Sequence, residues 1–300
     1  MSHKRSHRFE NYDRYLGTVG LSANTVRAYI QDLNHFADWY IQTTGDEFQA
    51  KLVDSTEIIE YRGYLLQKGR RPKTINRRLV ALRRYFNWAK QNKLCLDNPF
   101  DILEGYRVRE QKGVAPKWLD EKEQLALLRV VRKDENRRDL AIVQTLRRTG
   151  LRVSELVDLR LADITLAERS GQVRVRSGKG TKARQIPLSK DARQALSGYL
   201  EERKDSEEDK IFLGQRGPLT EKGIWDIVNK YAYRARLENV TTHTLRHTFG
   251  KNLVNVGTPL DQVATLLGHE SIETVRIYIT PSEKDLEKAV RRASGELADD

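Results

Sequence analysis

Cysteine occurs once in the 300 residues, at Cys95, so no internal disulfide can form and a reducing compartment is expected. No apolar run approaches the ~20 residues that a membrane-spanning helix needs. The opening stretch MSHKRSHRFENYDRYLG has no apolar segment of the secretory kind. Together these absences predict a cytoplasmic protein with no membrane partner. Internal repeats and low-complexity tracts are absent too. Histidine is scarce, with six in the chain, yet two of them stand four positions apart in THTLRHTFG, residues 242–250.

Positive charge is plentiful. Lys and Arg total 54 against 42 Asp and Glu, a formal net charge of +12. Such a balance points to a polyanionic partner, nucleic acid before acidic membrane. The distribution sharpens this. RRPKTINRRLVALRRYFNWAKQNK, residues 70–93, holds nine Lys or Arg and no Asp or Glu. A helix that is merely soluble mixes its signs. Arg70, Arg71, Lys73, Arg77, Arg78, Arg83 and Arg84 are therefore candidate contacts to a nucleic-acid backbone.

Apolar spacing places helices over residues 22–42, from Asp54 with Glu57 as a capping box, and from Pro72 with Ile75, Leu79, Leu82, Phe86 and Ala89 inward. Residues 1–105 read as a helical DNA-binding domain, residues 106–117 as an exposed linker, and residues 118–300 as a second domain. That domain opens with an Asp120–Glu123 capping box and a helix stopping at Gly150. QVRVR, SGKGTK and ARQIPL then make a β-hairpin with Lys179 at or beside its tip. Helices resume near Lys190, Thr220, His243, Pro259, Ser271 and Ser282. The fold class is mainly α with a small antiparallel β-sheet.

His243, Arg246 and His247 share one helix face. Spacing i, i+4 suits a zinc helix, but position 244 is Thr where a metalloprotease needs its Glu, and no third ligand is in view. A buried pair of structural histidines is the plainer alternative, and an isolated histidine would favour it. Arg246 between them weighs against it, because a guanidinium on that face needs an anion. Arg152 in TGLRVSEL, Lys179 on its glycine-flanked turn, His269 in LLGHES and Tyr278 in TVRIYIT are each weak signals alone. A surface ion pair with Glu155, a solvated loop, a helix cap and a core aromatic would account for them one by one.

Their order is the specific feature. Arg152, Lys179, His243, Arg246, His269 and Tyr278 follow one another within one domain. With TGLRVSEL, HTLRHTF and LLGHESIETVRIYI, they resemble the tyrosine recombinase (phage-integrase) family, in particular its Xer-like and transposon-encoded members, over nearly the whole chain. The resemblance implies a helical SAM-like core-binding domain joined to an α+β catalytic domain. It implies site-specific cleavage and rejoining of DNA strands through a 3′-phosphotyrosyl intermediate and a Holliday junction, without ATP, metal or other cofactor. Tyr278 is then the nucleophile and His243 its general base. Lys179 is the acid for the leaving 5′ oxygen. Arg152 and Arg246 clamp the phosphate, His269 adds a hydrogen bond to it, and Glu155 orients a neighbour. His247 is assigned no chemistry. The implied partners are a duplex site with inverted half-sites, a homotetramer spanning two such sites through the C-terminal segment, and accessory DNA-binding proteins. The implied setting is the nucleoid of a prokaryote or its mobile elements. Gly250 and Lys251 depart from the small, Ala-rich run frequent after LRH, and Ile279–Thr280 from the Thr-His pair common after the tyrosine.

Two other functions compete. LDQVATLLGHESIETVRIYI can be read as a helix-turn-helix of a non-catalytic regulator, with a second helix from Ser271. A type IB topoisomerase would use the same chemistry without choosing a site.

Overall fold

The computed structural model describes residues 8–110, 116–176, 183–203, 207–269 and 271–279, with six more between 286 and 294. The chain divides into two compact units, Met1–Lys112 and Gly113–Asp300.

The first unit is helical: α1 (Glu10–Thr18), α2 (Ala23–Thr44), α3 (Ser55–Gln67) and α4 (Pro72–Gln91). Local signals fix the ends. Ser22 accepts the Thr25 amide at the start of α2, Asp54 and Glu57 close a capping box on α3, and Pro72 opens α4. The core is unusually aromatic, with Tyr12, Phe36, Tyr61 and Phe86 fully buried. Helix α1 escaped the periodicity argument because it buries only Tyr12 and Leu16. Asp32 is buried in α2, where Arg77 and Arg78 pair with it. The start of the expected linker is tied to this unit. The backbone of Val108 is held by both ends of the buried Asn76 amide, at 2.8 and 2.9 Å, and Arg62 donates to the carbonyl of Tyr106. Residues 106–108 are therefore part of the first unit, tied by a polar side chain that apolar spacing cannot flag.

The second unit runs α5 (Glu121–Lys133), α6 (Arg137–Thr149), α7 (Val153–Asp158), β1 (Ile164–Leu166), β2 (Gly171–Val175), β3 (Arg184–Pro187), α8 (Lys190–Glu202), β4 (Leu213–Gly214), β5 (Gly217–Pro218), α9 (Glu221–Arg234), α10 (Thr242–Asn255) and α11 (Leu260–Leu267). The expected hairpin is part of an antiparallel sheet β1–β2–β3, with Ile164 opposite Val173 and Val173 opposite Ile186. Lys179 lies outside the described residues. After α11 come two single 3-10 turns, Ile272–Thr274 and Arg276–Tyr278, in place of the helix expected from Ser271. The helix-turn-helix reading therefore lacks its second helix. Among the described residues no helix is long and apolar enough to cross a membrane.

Candidate active site

The centre is built on α10. Thr241 and Thr244 close its first turn by exchanging amide and hydroxyl hydrogen bonds at 3.0 and 3.2 Å. The Thr that stands where a zinc helix carries Glu thus serves as a cap. His243, in that first turn, is exposed, while Arg246 is buried and His247 half-buried.

Arg246 is held by two helix ends. Its Nη1 donates to the carbonyl of Gly150, just past α6, at 2.6 Å. Its Nη2 donates to that of Leu267, the last residue of α11, at 2.7 Å. Terminal carbonyls have no partner within their own helix, and the negative end of the dipole favours a cation. Gly150 and Gly268 let other side chains pack against these helix ends. Both have positive φ, 62° and 66°, and a Cβ would lie 2.5 Å from the Phe249 ring in one case and 2.6 Å from the Arg184 guanidinium in the other.

The end of α11 takes two more arginines. Arg184 Nε donates to the carbonyl of Leu266 at 2.8 Å, and Arg152 Nη2 to that of Gly268 at 3.1 Å. Both guanidiniums meet Glu155. Arg184 binds its carboxylate through both Nη atoms at 2.8 and 2.9 Å, and Arg152 through Nη1 at 3.0 Å. Burial alone would raise the Glu155 carboxyl. The hydrogen bonds and charge of Arg184, with Arg152 behind them, prevail and hold it below the usual range. Spacing gave no part to Arg184. The one sign available was a charged residue at an inward position of a short strand, and this depends on knowing the register.

Tyr278 packs on the same centre and is fully buried. Its ring lies over Gly250, where a Cβ would meet ring atoms at 2.7 to 2.9 Å. Lys251 Nζ donates to its carbonyl at 3.3 Å. The His247 and His269 ring centroids are 5.7 and 6.5 Å from that of Tyr278. The sequence reading set His243 against the phenol. The imidazole within hydrogen-bond reach is instead His247, whose Nδ1 is 3.1 Å from Tyr278 Oη. The reason is helix geometry: residues 247, 250 and 251 form one face, a turn beyond His243. Burial raises the phenol above its ordinary value, against the pull of Arg246 and Arg152. The three imidazoles are all shifted down, each by burial first and then by neighbouring cationic groups. Arg246 and Arg152 act on His243 and His269, and His243 and Arg246 act on His247. His247 and His269 fall to about 4, so both are neutral near pH 7. His269 is further fixed by Thr274, which pairs with its Nδ1.

Of the basic set, Arg70 and Arg71 just before α4 and Lys73, Arg77 and Arg83 on it are exposed, Arg77 while paired with Asp32, and Arg84 is half-buried. Arg78 turns inward to Asp32 and to His35 Nε2, the latter at 2.9 Å, and so leaves the outer face.

Guanidiniums, imidazoles and a phenol from separate stretches of one unit are thus gathered in one centre. The sequence matches the phage integrase family over residues 117–285, and the N-terminal SAM-like domain of phage integrases over residues 9–93. It is 34% identical over 269 residues to tyrosine recombinase XerD of Listeria monocytogenes, covering 86% of this chain and 88% of that one. It is 33% identical over 296 residues to XerA of Pyrococcus furiosus, covering 97% and 95%. In fold it is similar to the Tn1549 transposon integrase in complex with circular intermediate DNA, at 22% identity and a TM-score of 0.70 over 94% of this chain and 97% of that one. XerH bound to its difH substrate aligns at 24% identity and a TM-score of 0.68 over 89% and 78%. The chain belongs to the phage integrase family of tyrosine recombinases. It is a DNA-cleaving and DNA-rejoining enzyme of site-specific recombination.

Proposed function

We propose that Tyr278 attacks a scissile DNA phosphate and becomes joined to its 3′ side, while the 5′ oxygen leaves. The bond energy stays in the phosphotyrosine, so rejoining needs no ATP. Arg246 and Arg152 clamp the non-bridging oxygens, whose charge grows in the transition state; fixed donors cost nothing to reorganise at that moment. His243 and His269 complete the cradle. The first turn of α10 adds the positive end of its dipole. Glu155 acts through others, keeping Arg152 and Arg184 in place. Lys179 is the acid for the leaving oxygen. These cations do the work a metal does elsewhere, so no metal is required. The exposed basic residues of α4 hold the DNA backbone. Two pairs of inverted half-sites bring four protomers together, and strands exchange through a Holliday junction.

The observation that carries this reading is the meeting of Arg152, Arg246 and His269 at one helix end, with Tyr278 beside them. Because the phenol is buried, the phosphate has to enter between His243 and the Tyr278 turn and open it. The test is a nicked site that releases its leaving strand. Wild type is expected to retain DNA through denaturation, and to do so equally in EDTA. Tyr278→Phe is expected to retain none. Covalent DNA on the Phe variant would refute the assignment, and loss in EDTA restored by magnesium would refute metal independence.

A further inference from the structure

His247 is the histidine that the sequence reading left idle, and it is the one that touches the phenol. Its Nδ1 lies 3.1 Å from Tyr278 Oη, with the rings tilted by 54°. Among the described residues the phenol oxygen has no other hydrogen-bond partner. A phenol carries one hydrogen. If Nδ1 were protonated and donating, that hydrogen would be left in a closed site with no acceptor, at a cost of about 1–3 kcal/mol. The satisfied arrangement has the phenol donating to Nδ1 and the imidazole hydrogen on Nε2.

We infer that His247 is a further catalytic residue, the group that takes the phenolic proton as Tyr278 bonds to phosphorus. The inference rests on Tyr278 being the nucleophile. In the step, the Oη–P bond forms as the phenolic hydrogen passes to Nδ1, leaving His247 an imidazolium. The P–O5′ bond breaks and the 5′ oxygen takes a proton from the acid on the other side of the phosphate. Rejoining runs the same transfers backwards.

The surroundings fit the task. On its own helix His247 has His243 one turn before it, Arg246 beside it and Lys251 one turn after. From other elements it faces Tyr278 and His269 beyond α11. This cationic, buried setting keeps the imidazole neutral, and a neutral imidazole can accept. A bound phosphate adds negative charge beside it and raises its basicity. His243 is not hydrogen-bonded to Tyr278 among the described residues, and its exposure leaves it free for the phosphate.

The test uses the full chain and single-turnover cleavage of a nicked site. In His247→Asn, Oδ1 can stand in for Nδ1 as an acceptor but cannot take a proton. The variant should bind DNA and melt as wild type does, yet cleave about 10²–10⁴-fold more slowly, the span of general-base contributions. Its rate should also climb about tenfold per pH unit on the alkaline side of neutrality, as the phenol begins to ionise unaided, where wild type is flat. Cleavage within about threefold of wild type, faster cleavage, or a loss with no alkaline recovery would each overturn the proposal. If the Asn variant does not fold, His247→Gln is read by the same criteria. Should wild type form no covalent complex, the nucleophile assignment fails, independently of His247.

Discussion

Gly250 has no side chain, and the ring of Tyr278 occupies the space one would fill. Alanine is the best helix former, and in mid-helix it is favoured over glycine by about 1 kcal/mol. Here its methyl would lie 2.7 Å from Cζ of the tyrosine, closer than carbon atoms approach. The ring is the softer partner and would be displaced, drawing Oη away from His247. Gly250→Ala should therefore separate stability from activity. Its Tm is expected to hold or rise, while cleavage of a nicked site falls at least about tenfold, the usual cost of ångström-scale misplacement. A variant that melts higher and cleaves as fast would show that the seat on α10 is not used in the reaction. Gly250 and Lys251 were visible in the sequence only as departures from a familiar run. What they serve could not be read there, because the tyrosine they receive is 27 or 28 positions further on and arrives through two irregular turns. The local set, His243, Arg246 and His247, was legible because three residues within one helix turn need no knowledge of the fold.

At the scale of elements, the end of α11 organises the centre. Three successive carbonyls, of Leu266, Leu267 and Gly268, each take a different arginine: Arg184, Arg246 and Arg152. Glu155, in α7, neutralises two of them. Its carboxylate is the counter-charge of the buried Arg184, with side-chain exposures of 4% and 5%. Removing one member of such a pair strands the other and costs about 3–5 kcal/mol, whereas replacing both with apolar groups is near neutral. Glu155→Gln should lose stability on that scale in urea unfolding, and a Glu155→Leu, Arg184→Met double variant should recover most of it without recovering cleavage. The acid response has a defined sign. The folded carboxyl lies below its unfolded value near 4.5, so its stabilising contribution is present above that value. It is lost as pH falls through the lower, folded one. Glu155→Gln should therefore flatten the fall of Tm on acidification. A melting curve whose acid dependence is unchanged by the substitution would refute this account. Caps, strand alternation and the stop at Gly150 were legible in advance, being local and periodic. The three-arginine hub was not, since it depends on which loop ends meet in space.

At the scale of the whole molecule, the charge of +12 and the exposed cations of α4 would serve to hold DNA, but would not by themselves bring several protomers together on it. The segment after Pro281 bears on that. Leu286 and Val290, four apart and so on one helix face, are 54% and 68% exposed. A short helical stretch is not stable unsupported in water, so apolar side chains there call for a surface. That surface would belong either to the same chain or to a neighbouring protomer. A contact of the second kind joins unlike patches, which repeats around a ring and closes at four members when the rotation allows. Such a contact would link each centre to the next, because the segment follows Tyr278 closely in the sequence. Deleting residues 282–300 should leave the melting temperature and binding to an isolated half-site within error of the full chain, while complexes of four protomers on two sites vanish from sedimentation profiles. Loss of Tm or of half-site binding in the truncated chain would place the segment on its own protomer, and unchanged four-protomer complexes would remove it from assembly altogether.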